Sequence, residues 1–382
     1  MGKNDMKIGK VSGSVLERSV LRQIVTNRDK ISSGAGVGAD CAIFSFGSGQ
    51  NLVSCVQEAV IALPEEDVSR NDAAGAYGRT DCVVRDKMWE GDLGQERDVS
   101  GMSMDRVMRR SVTEPGMTLG QLIQKCANNL AAGGAKPEAI LLTLFLPEDV
   151  EEAGLKALMA EARIKCQELS LELAGGQSRV TSMAGAPLAV VTGYGRPYGG
   201  EVHTVNRAAP GQDILISKWI GLQGTAILAK RYRQKLLGRY PAYLVEEAMG
   251  FERYQSIIPE AEAAVKSGVC AMHDASEGGI FGALWELAQG AGVGLKIDLR
   301  KLPLRQETVE VCECCNANPY ELLSGGCLIM TTQNGQGLLA ALEEERIPAV
   351  IVGRVTEGKS RILSNGEEIR FLDRPKQDQI YM

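Results

Sequence analysis

The segment most informative about the fold lies in the second half of the chain and reads Cys270-Ala271-Met272-His273-Asp274-Ala275-Ser276-Glu277-Gly278-Gly279. Asp274 and Ser276 can cap the helix that the following apolar residues predict, which we place at residues 277–289. Gly278 and Gly279 have no side chain, so backbone or a ligand can approach them closely. His273 is more typical of a packing residue than of a catalytic base. The stretch therefore predicts a glycine-rich turn that begins a helix.

Turn residues separate this half of the chain from the first. Pro210-Gly211 precedes a predicted strand at Asp213–Ser217, so we expect one domain at residues 1–205 and a second at 206–382. In the second domain, predicted helices alternate with predicted strands at residues 295–299, 327–332 and 349–355, and Asn365-Gly366 predicts a closing hairpin. The length agrees with two domains, because 382 residues exceed the usual size of one hydrophobic core.

Composition and charge exclude several classes of protein. Hydrophobic residues make up 44% and charged residues 24%, which are ordinary globular values. A net charge of -6 offers no basic stripe for a phosphate backbone, so we expect no nucleic-acid partner. The longest uncharged apolar run, residues 139–147, is too short to span a bilayer, and the first residues lack a secretory signal. We expect a cytoplasmic protein that does not bind membranes.

The first half holds three segments that suit a binding site. A glycine-rich loop at residues 33–40 ends at Asp40 and leads into two predicted strands, at residues 41–46 and 52–61. A helix capped by Thr118 and ended by Gly133-Gly134 carries Asn128 and Asn129 near its end. Gly175-Gly176-Gln177-Ser178 is expected to be a loop between strands at residues 171–173 and 187–192. The segment near 65–115 is rich in charged residues and is predicted to be an exposed insertion.

One sequence motif matches a known pattern in spacing but not in its predicted structural context. Residues 353–360, Gly-Arg-Val-Thr-Glu-Gly-Lys-Ser, have the spacing of a P-loop. A P-loop needs a helix after it, because the helix N-terminus stabilises the phosphates. Here Asn365-Gly366 predicts two strands joined by a tight turn instead, so we expect residues 357–359 to be a hairpin tip.

Several of these segments resemble one family in the same order along the chain. Residues 270–279 with the later Gly-Val-Gly resemble the Met-x-Asp and Gly-Gly pattern of the hydrogenase maturation (HypE) group of the aminoimidazole ribonucleotide (AIR) synthetase superfamily. Residues 38–42 resemble its Gly-Asp-Asp-Ala-Ala start, residues 128–137 its segment from Asn-Asp to Gly-Ala-Lys-Pro, and residues 175–178 its Gly-Gly-Asp-Thr loop. The likeness covers nearly the whole chain except residues 65–115.

The resemblance implies a fold and a reaction type. The implied fold is α+β with two PurM-like domains: an N-terminal domain that dimerises through its sheet, and a C-terminal α/β domain. Relatives bind ATP in a cleft lined by N-terminal loops and phosphorylate an amide or carbonyl oxygen. The implied cofactor-binding residues are Asp40, Glu58, Asn128, Asn129, Gly175, Gly176, Gln177, Asp274, Gly278 and Gly279. Asp40 and Glu58 are also the implied ligands of Mg²⁺, and no catalytic residue is implied.

The sequence departs from the family in two places. Mg²⁺ prefers carboxylate oxygens, yet amides stand at Asn129 and Gln177 where relatives have aspartates, which predicts weak metal binding. Residues 378–382 contain no cysteine, whereas HypE proteins end in the cysteine that receives the carbamoyl group. We do not expect that reaction from the resemblance alone.

Two hypotheses of function remain open. The first is an ATP-dependent enzyme with an altered metal site that acts on an amide or carbonyl oxygen of an unknown substrate. The second is a non-catalytic relative that binds a metabolite or a partner protein. Both include a homodimer.

Overall fold

The computed structural model of the chain describes residues 11, 13–24, 30–46, 50–64 and 117–381. The charged segment near 65–115, which we predict to be an insertion, lies outside the described residues. Within them, no helix is both long and apolar enough to cross a bilayer.

The N-terminal half forms one sheet with helices on one face. Its elements are α1 (Gly13–Ser19), β1 (Ile31–Ser33), β2 (Ala42–Ser45), β3 (Asn51–Val60), α2 (Leu119–Ala132), β4 (Ala135–Leu146), α3 (Glu152–Glu168), β5 (Glu172–Val180) and β6 (Leu188–Pro197). The six strands have the order β1-β2-β3-β6-β4-β5. Only β4 and β5 are parallel neighbours; the other pairs are antiparallel.

Helix α2 packs on the middle of this sheet, against β3, β6 and β4. It begins as predicted, because Thr118 accepts a hydrogen bond from the backbone of Gln121 and the Gln121 side chain accepts one from the backbone of Thr118. It ends before Gly133, and Gly134 takes a left-handed φ of +80° that suits glycine. Its apolar face is fully buried at Leu122, Ile123, Cys126 and Leu130, and each such side chain contributes roughly 1.5–3 kcal/mol.

The opposite face of the sheet has no helix over it among the described residues. Val56 on β3 is 54% exposed and Leu141 on β4 is 36% exposed. Through the strand register, Val56 lies opposite Thr192, which in turn lies opposite Leu141, so these side chains form one surface. We call this surface the open sheet face.

The C-terminal half forms a second sheet. Its elements are β7 (Asp213–Ser217), α4 (Leu222–Arg231), α5 (Arg233–Leu237), α6 (Ala242–Met249), α7 (Ile258–Lys266), β8 (Ala271–Asp274), α8 (Gly279–Ala291), β9 (Gly294–Asp298), α9 (Gln306–Cys315), β10 (Leu328–Thr332), α10 (Gly335–Glu344), β11 (Ala349–Thr356), β12 (Arg361–Asn365) and β13 (Glu368–Phe371). The seven strands have the order β13-β12-β9-β11-β7-β10-β8. The predicted elements of this half are present, and the expected α+β fold with two sheets is confirmed.

Residues 353–360, which have the spacing of a P-loop, begin inside strand β11 of this sheet. The chain continues from β11 into β12 with no helix between them, so the refusal of the motif is confirmed. The expected hairpin tip at residues 357–359 is wrong, however, because β9 lies between β11 and β12 and pairs with both. The hairpin at Asn365-Gly366 is present, with Asn365 opposite Glu368.

The two halves pack through the end of α2. Ala131 and Ala132 are fully buried and share a hydrophobic cluster with Leu215, Ala264 and Met272 of the second half. The last strand of the first sheet ends at residue 197 and the first strand of the second begins at residue 213. The predicted domain boundary falls in the connection between them.

Candidate functional site

The glycine-rich loop before β2 lies against helix α8 of the other half. Gly38 has a φ of +72°, and a Cβ atom there would stand 2.8 Å from the carbonyl oxygen of Glu286. Gly290 of α8 is equally close, since its Cβ would stand 2.8 Å from the carbonyl oxygen of Val37. These glycines let two backbones meet, and the contact places Asp40 beside β8.

His273 on β8 lies between two carboxylates. Its Nδ1 is 2.8 Å from Oδ2 of Asp40, and its Nε2 is 3.2 Å from Oε2 of Glu286. Burial by itself would lower the pKa of His273, but the charges and hydrogen bonds of Asp40 and Glu286 outweigh it and raise the pKa to about 10. At neutral pH the imidazole is therefore a cation with a hydrogen bond at each ring nitrogen. We call Asp40, His273 and Glu286 the buried triad.

A small polar cavity lies next to the triad, between α2 and the second half. Its volume is about 10 Å³, which is room for about one water molecule. We call it the interdomain cavity. Five of its nine lining residues carry amide side chains: Gln121, Gln124, Asn128, Gln223 and Gln255. The other four are Lys125, Asp274, Ser276 and Gly325.

Asn128 joins the two halves at this cavity. Its Nδ2 donates to the carbonyl oxygen of Gln255 at 2.7 Å, and its Oδ1 accepts from the backbone of Ile257 at 3.2 Å and from Nε2 of Gln124 at 2.9 Å. The neighbouring Asn129 is buried, and its carbonyl oxygen accepts a hydrogen bond from the thiol of Cys41 at 2.9 Å. The predicted site residue Asn128 thus fixes the relative position of α2 and the second half.

Asp274 is the buried carboxyl group of the interdomain cavity. It is 3% exposed, and its Oδ1 has no hydrogen-bond partner among the described residues. Burial, followed by the negative charge of Asp40, raises the pKa of Asp274 to about 7. Nε2 of Gln255 is also buried without a partner in the described chain. Two unsatisfied polar atoms at one small cavity indicate a place for a water molecule or a polar group of a ligand.

The Gly278-Gly279 turn begins α8 as predicted, with left-handed φ values of +88° and +64°. A Cβ atom at Gly279 would stand 2.6 Å from the carbonyl oxygen of Tyr320. The N–H of Gly278 donates to Oδ2 of Asp378 at 2.6 Å. Asp378 is itself 2% exposed, and burial raises the pKa of its carboxyl group to about 6 although three backbone N–H groups donate to it. A hydrogen bond to the carboxylate of Asp378 therefore stabilises this turn.

The remaining predicted site residues lie on the first sheet. Gly175, Gly176 and Gln177 are inside strand β5, so the expectation of a loop there is wrong. The reason is close pairing with β4, since a Cβ atom at Gly176 would stand 1.7 Å from the carbonyl oxygen of Leu142. Glu58 is exposed on β3 and belongs to the same row across the sheet as Gln177. Asp40, in contrast, contacts His273 of the second half.

Among the described residues, the predicted metal ligands Asp40 and Glu58 do not form a cluster of metal-binding side chains. Among the described residues, no group of three or more His, Cys, Asp or Glu side chains is placed to hold a metal ion. The carboxylate of Asp40 is used by the His273 cation, and Glu58 is exposed on the sheet. In the described part of the chain, Asp40 and Glu58 therefore do not belong to a metal-ligand group of three or more side chains.

Sequence reasoning missed Glu286 and Asp378. Glu286 had a signal, because it is the one charged residue in the sequence of α8, GIFGALWELAQGA, and a lone charge in an apolar helix needs a buried partner. Asp378 had none, because its contacts with Gly278 and Leu323 span 100 and 55 residues of chain.

Comparison with known proteins agrees with this arrangement. Family models of AIR synthase related proteins match residues 81–196 with the N-terminal domain and residues 209–364 with the C-terminal domain. The first match includes part of the charged segment, and both leave out Asp40 and Glu58.

Curated relatives and solved structures point the same way. The chain is 28% identical to carbamoyl dehydratase HypE of Rhodobacter capsulatus over 275 residues, 70% of this chain and 78% of that one. It is 24% identical to HypE of Escherichia coli, over 70% of this chain and 80% of that one. A HypE–HypF complex gives a TM-score of 0.67 at 18% identity, covering 95% of this chain and 100% of that one. HypE in complex with ATP gives a TM-score of 0.62 at 17% identity, covering 98% of both chains. The chain belongs to the AIR synthase related proteins, and within that family it is HypE-like.

Proposed function

We propose that this HypE-like chain binds ATP and uses it to activate an amide or carbonyl oxygen of a small or protein-borne substrate. Three similarities support the proposal: its relatives include carbamoyl dehydratases, a HypE of the same fold was solved with ATP, and a thiamine monophosphate kinase structure with AMPPCP has a TM-score of 0.58. ATP is a substrate in this proposal.

The observation that carries the proposal is the unsatisfied carboxyl group of Asp274 in the interdomain cavity. A carboxyl with a pKa of about 7 can both give and take a proton at neutral pH, which suits the removal of a proton from an amide. The neighbouring amides of Gln124 and Gln255 can donate to a carbonyl oxygen and accept from an N–H group. A cavity of about 10 Å³ receives only the reacting end of a substrate.

Mg²⁺ is not part of the proposed mechanism. The metal ligands that the family resemblance implies are Asp40 and Glu58, and in this structure Asp40 is paired with a protonated His273. We therefore expect ATP binding to depend less on Mg²⁺ than a site with several carboxylates would require.

We also propose that the chain is a homodimer that associates through the open sheet face. Val56 and Leu141 expose apolar surface at the centre of a sheet whose other face is covered, and such contiguous apolar surface marks interfaces. A HypE of the same fold is found in complex with HypF, which supports a partner protein for this chain as well.

A second function is favoured by two other contacts. Asp40 is committed to His273, and the N–H of Gly278 is committed to Asp378, so two groups implied in nucleotide binding are already satisfied within the chain. A non-catalytic dimer that binds a metabolite or a partner protein is consistent with these contacts.

Calorimetric titration with ATP, with and without Mg²⁺, together with a phosphate-release assay in which a carboxamide peptide is the probe substrate, tests the proposal. The Asp274→Asn variant keeps the shape of the side chain but cannot exchange a proton. We expect it to bind ATP like the parent and to release phosphate roughly 100-fold more slowly. Asp149→Asn, at an exposed position, is the control.

The outcomes separate the two functions. Binding of ATP without any phosphate release in the parent would favour the non-catalytic function. Absence of binding at millimolar ATP would rule out the nucleotide proposal altogether.

A further inference from the structure

A second cavity lies wholly within the C-terminal half and shares no lining residue with the interdomain cavity. Its volume is about 200 Å³. It is bounded by the first turns of α8, the loop at residues 318–321 and the chain from β13 to residue 376. We call it the C-terminal cavity. Its volume is below the 300–1,000 Å³ common for drug-sized ligands, so it suits a smaller molecule.

Three cations line this cavity: Arg370, Arg374 and Lys376. In the part of the chain that the structure describes, none of them forms an ion pair with a carboxylate. Two carboxylates, Glu321 and Asp373, also line the cavity. The chain as a whole carries a net charge of -6, so an excess of unpaired cations at one cavity is a local reversal of its charge.

The positive charge of Arg374 affects the pKa of the neighbouring Arg361. Burial, and then the charge of Arg374, lower the pKa of Arg361. The carboxylate of Glu321 is hydrogen-bonded, because it accepts from Nε2 of Gln379 at 3.1 Å. The three cations that line the cavity exceed its two carboxylates by one charge, which an anion would balance.

Aromatic rings form another part of the wall. Phe281 stacks on Tyr320 with ring centroids 5.0 Å apart and an angle of 7° between the rings. The guanidinium of Arg370 also lies over the ring of Phe281, 5.8 Å from its centroid, and this contact orients the cation. Phe371 is 67% exposed and lines the same cavity, which leaves its ring available to a ligand.

We propose that the C-terminal cavity binds a small aromatic phosphate of about mononucleotide size. The phosphate group contacts Arg370 and Arg374, which suit its oxygens because guanidinium groups donate paired hydrogen bonds. The aromatic ring of the ligand packs on Phe371. This site is distinct from the proposed ATP-dependent reaction, because that reaction uses Asp274 and the interdomain cavity.

Calorimetric titration of the full chain with AMP and with inorganic phosphate tests the site. We expect AMP to bind more tightly than phosphate, and Arg370→Gln to weaken both at least tenfold. Phe371→Ala should weaken AMP but leave phosphate unchanged, which separates stacking from charge. Arg239→Gln is the matched control, since Arg239 is exposed and paired with Glu313. Thermal unfolding of each variant should match the parent, because Arg370 and Phe371 are exposed.

Two results would overturn the site. One is equal binding of AMP by the parent and by Arg370→Gln. The other is no binding at millimolar AMP. Neither depends on whether the chain turns over ATP, so this proposal and the ATP-dependent function fail separately.

Discussion

Replacing Asp40 by Asn tests the buried triad directly. The change removes one of the two carboxylates around His273 and keeps the shape of the side chain. The pKa of His273 rises from 6.5 to about 10 in the folded chain, and a shift of this size corresponds to about 5 kcal/mol of favourable interaction with the proton. Asp40 supplies the larger part of the favourable interaction. Loss of one partner from a buried ion pair costs about 3–5 kcal/mol, so we expect a loss of about 3 kcal/mol at pH 6.

The cost should depend on pH in a definite direction. The folded pKa of His273 lies above its unfolded pKa, so the stabilisation is complete below about pH 6.5. It declines as the pH rises above that value, and it is lost as the pH passes through about 10. The difference between parent and Asp40→Asn should therefore be largest near pH 6 and small at pH 10.

Urea unfolding followed by circular dichroism, at pH 6 and at pH 10, measures this difference. Glu152→Gln is the control, because Glu152 and Lys156 form a surface pair whose side chains are 78% and 75% exposed. Such a pair contributes less than about 1 kcal/mol. A cost below about 1 kcal/mol for Asp40→Asn at pH 6 would refute the reasoning. So would a cost that stays the same at pH 10.

Two further predictions concern the first sheet. Gly176→Ala should cost about 3 kcal/mol or more, because its Cβ would stand 1.7 Å from the carbonyl oxygen of Leu142; Gly185→Ala, with nothing within 4 Å, should unfold in urea like the parent, and equal midpoints for both variants would contradict the pairing of β4 and β5. Val56→Lys should convert the proposed dimer to a monomer in sedimentation velocity, because a charge would be buried at the open sheet face. Ile164→Lys, on the exposed side of α3 at 49% exposure, should leave the dimer intact. A parent that is already monomeric, or a dimer in both variants, would count against that interface.

Local signals in the sequence identified most elements of the fold. The capping box at Thr118, the glycines after Ala132 and the Asn365-Gly366 turn each act within a few residues, and each is present where it was predicted. The α+β class was implied by the family resemblance, and the alternation of predicted strands and helices agreed with it. The order of family motifs then identified the AIR synthetase resemblance, which the family models confirm.

Pairing between distant residues was not predictable in the same way. Gly175-Gly176 suggested a loop because glycine favours turns, but contact with β4 at Leu142 makes it a strand. The position of β9 between β11 and β12 depends on contacts across more than 50 residues, which no local pattern encodes. Asp40 was chosen as a metal ligand from its motif, and the partner that determines its role, His273, lies 233 residues away.

The hydrogen bond between the Gly278 N–H and Asp378 also has a consequence for folding during synthesis on the ribosome. The turn that begins α8 is tied by a side chain made 100 residues later. Strands β12 and β13, which complete one edge of the second sheet, are translated after its other strands. The first sheet can assemble while the ribosome is still extending the chain, since domains fold in order of synthesis. The first turn of α8 gains its hydrogen bond to Asp378, and β9 its pairing with β12, only after these later residues have left the exit tunnel.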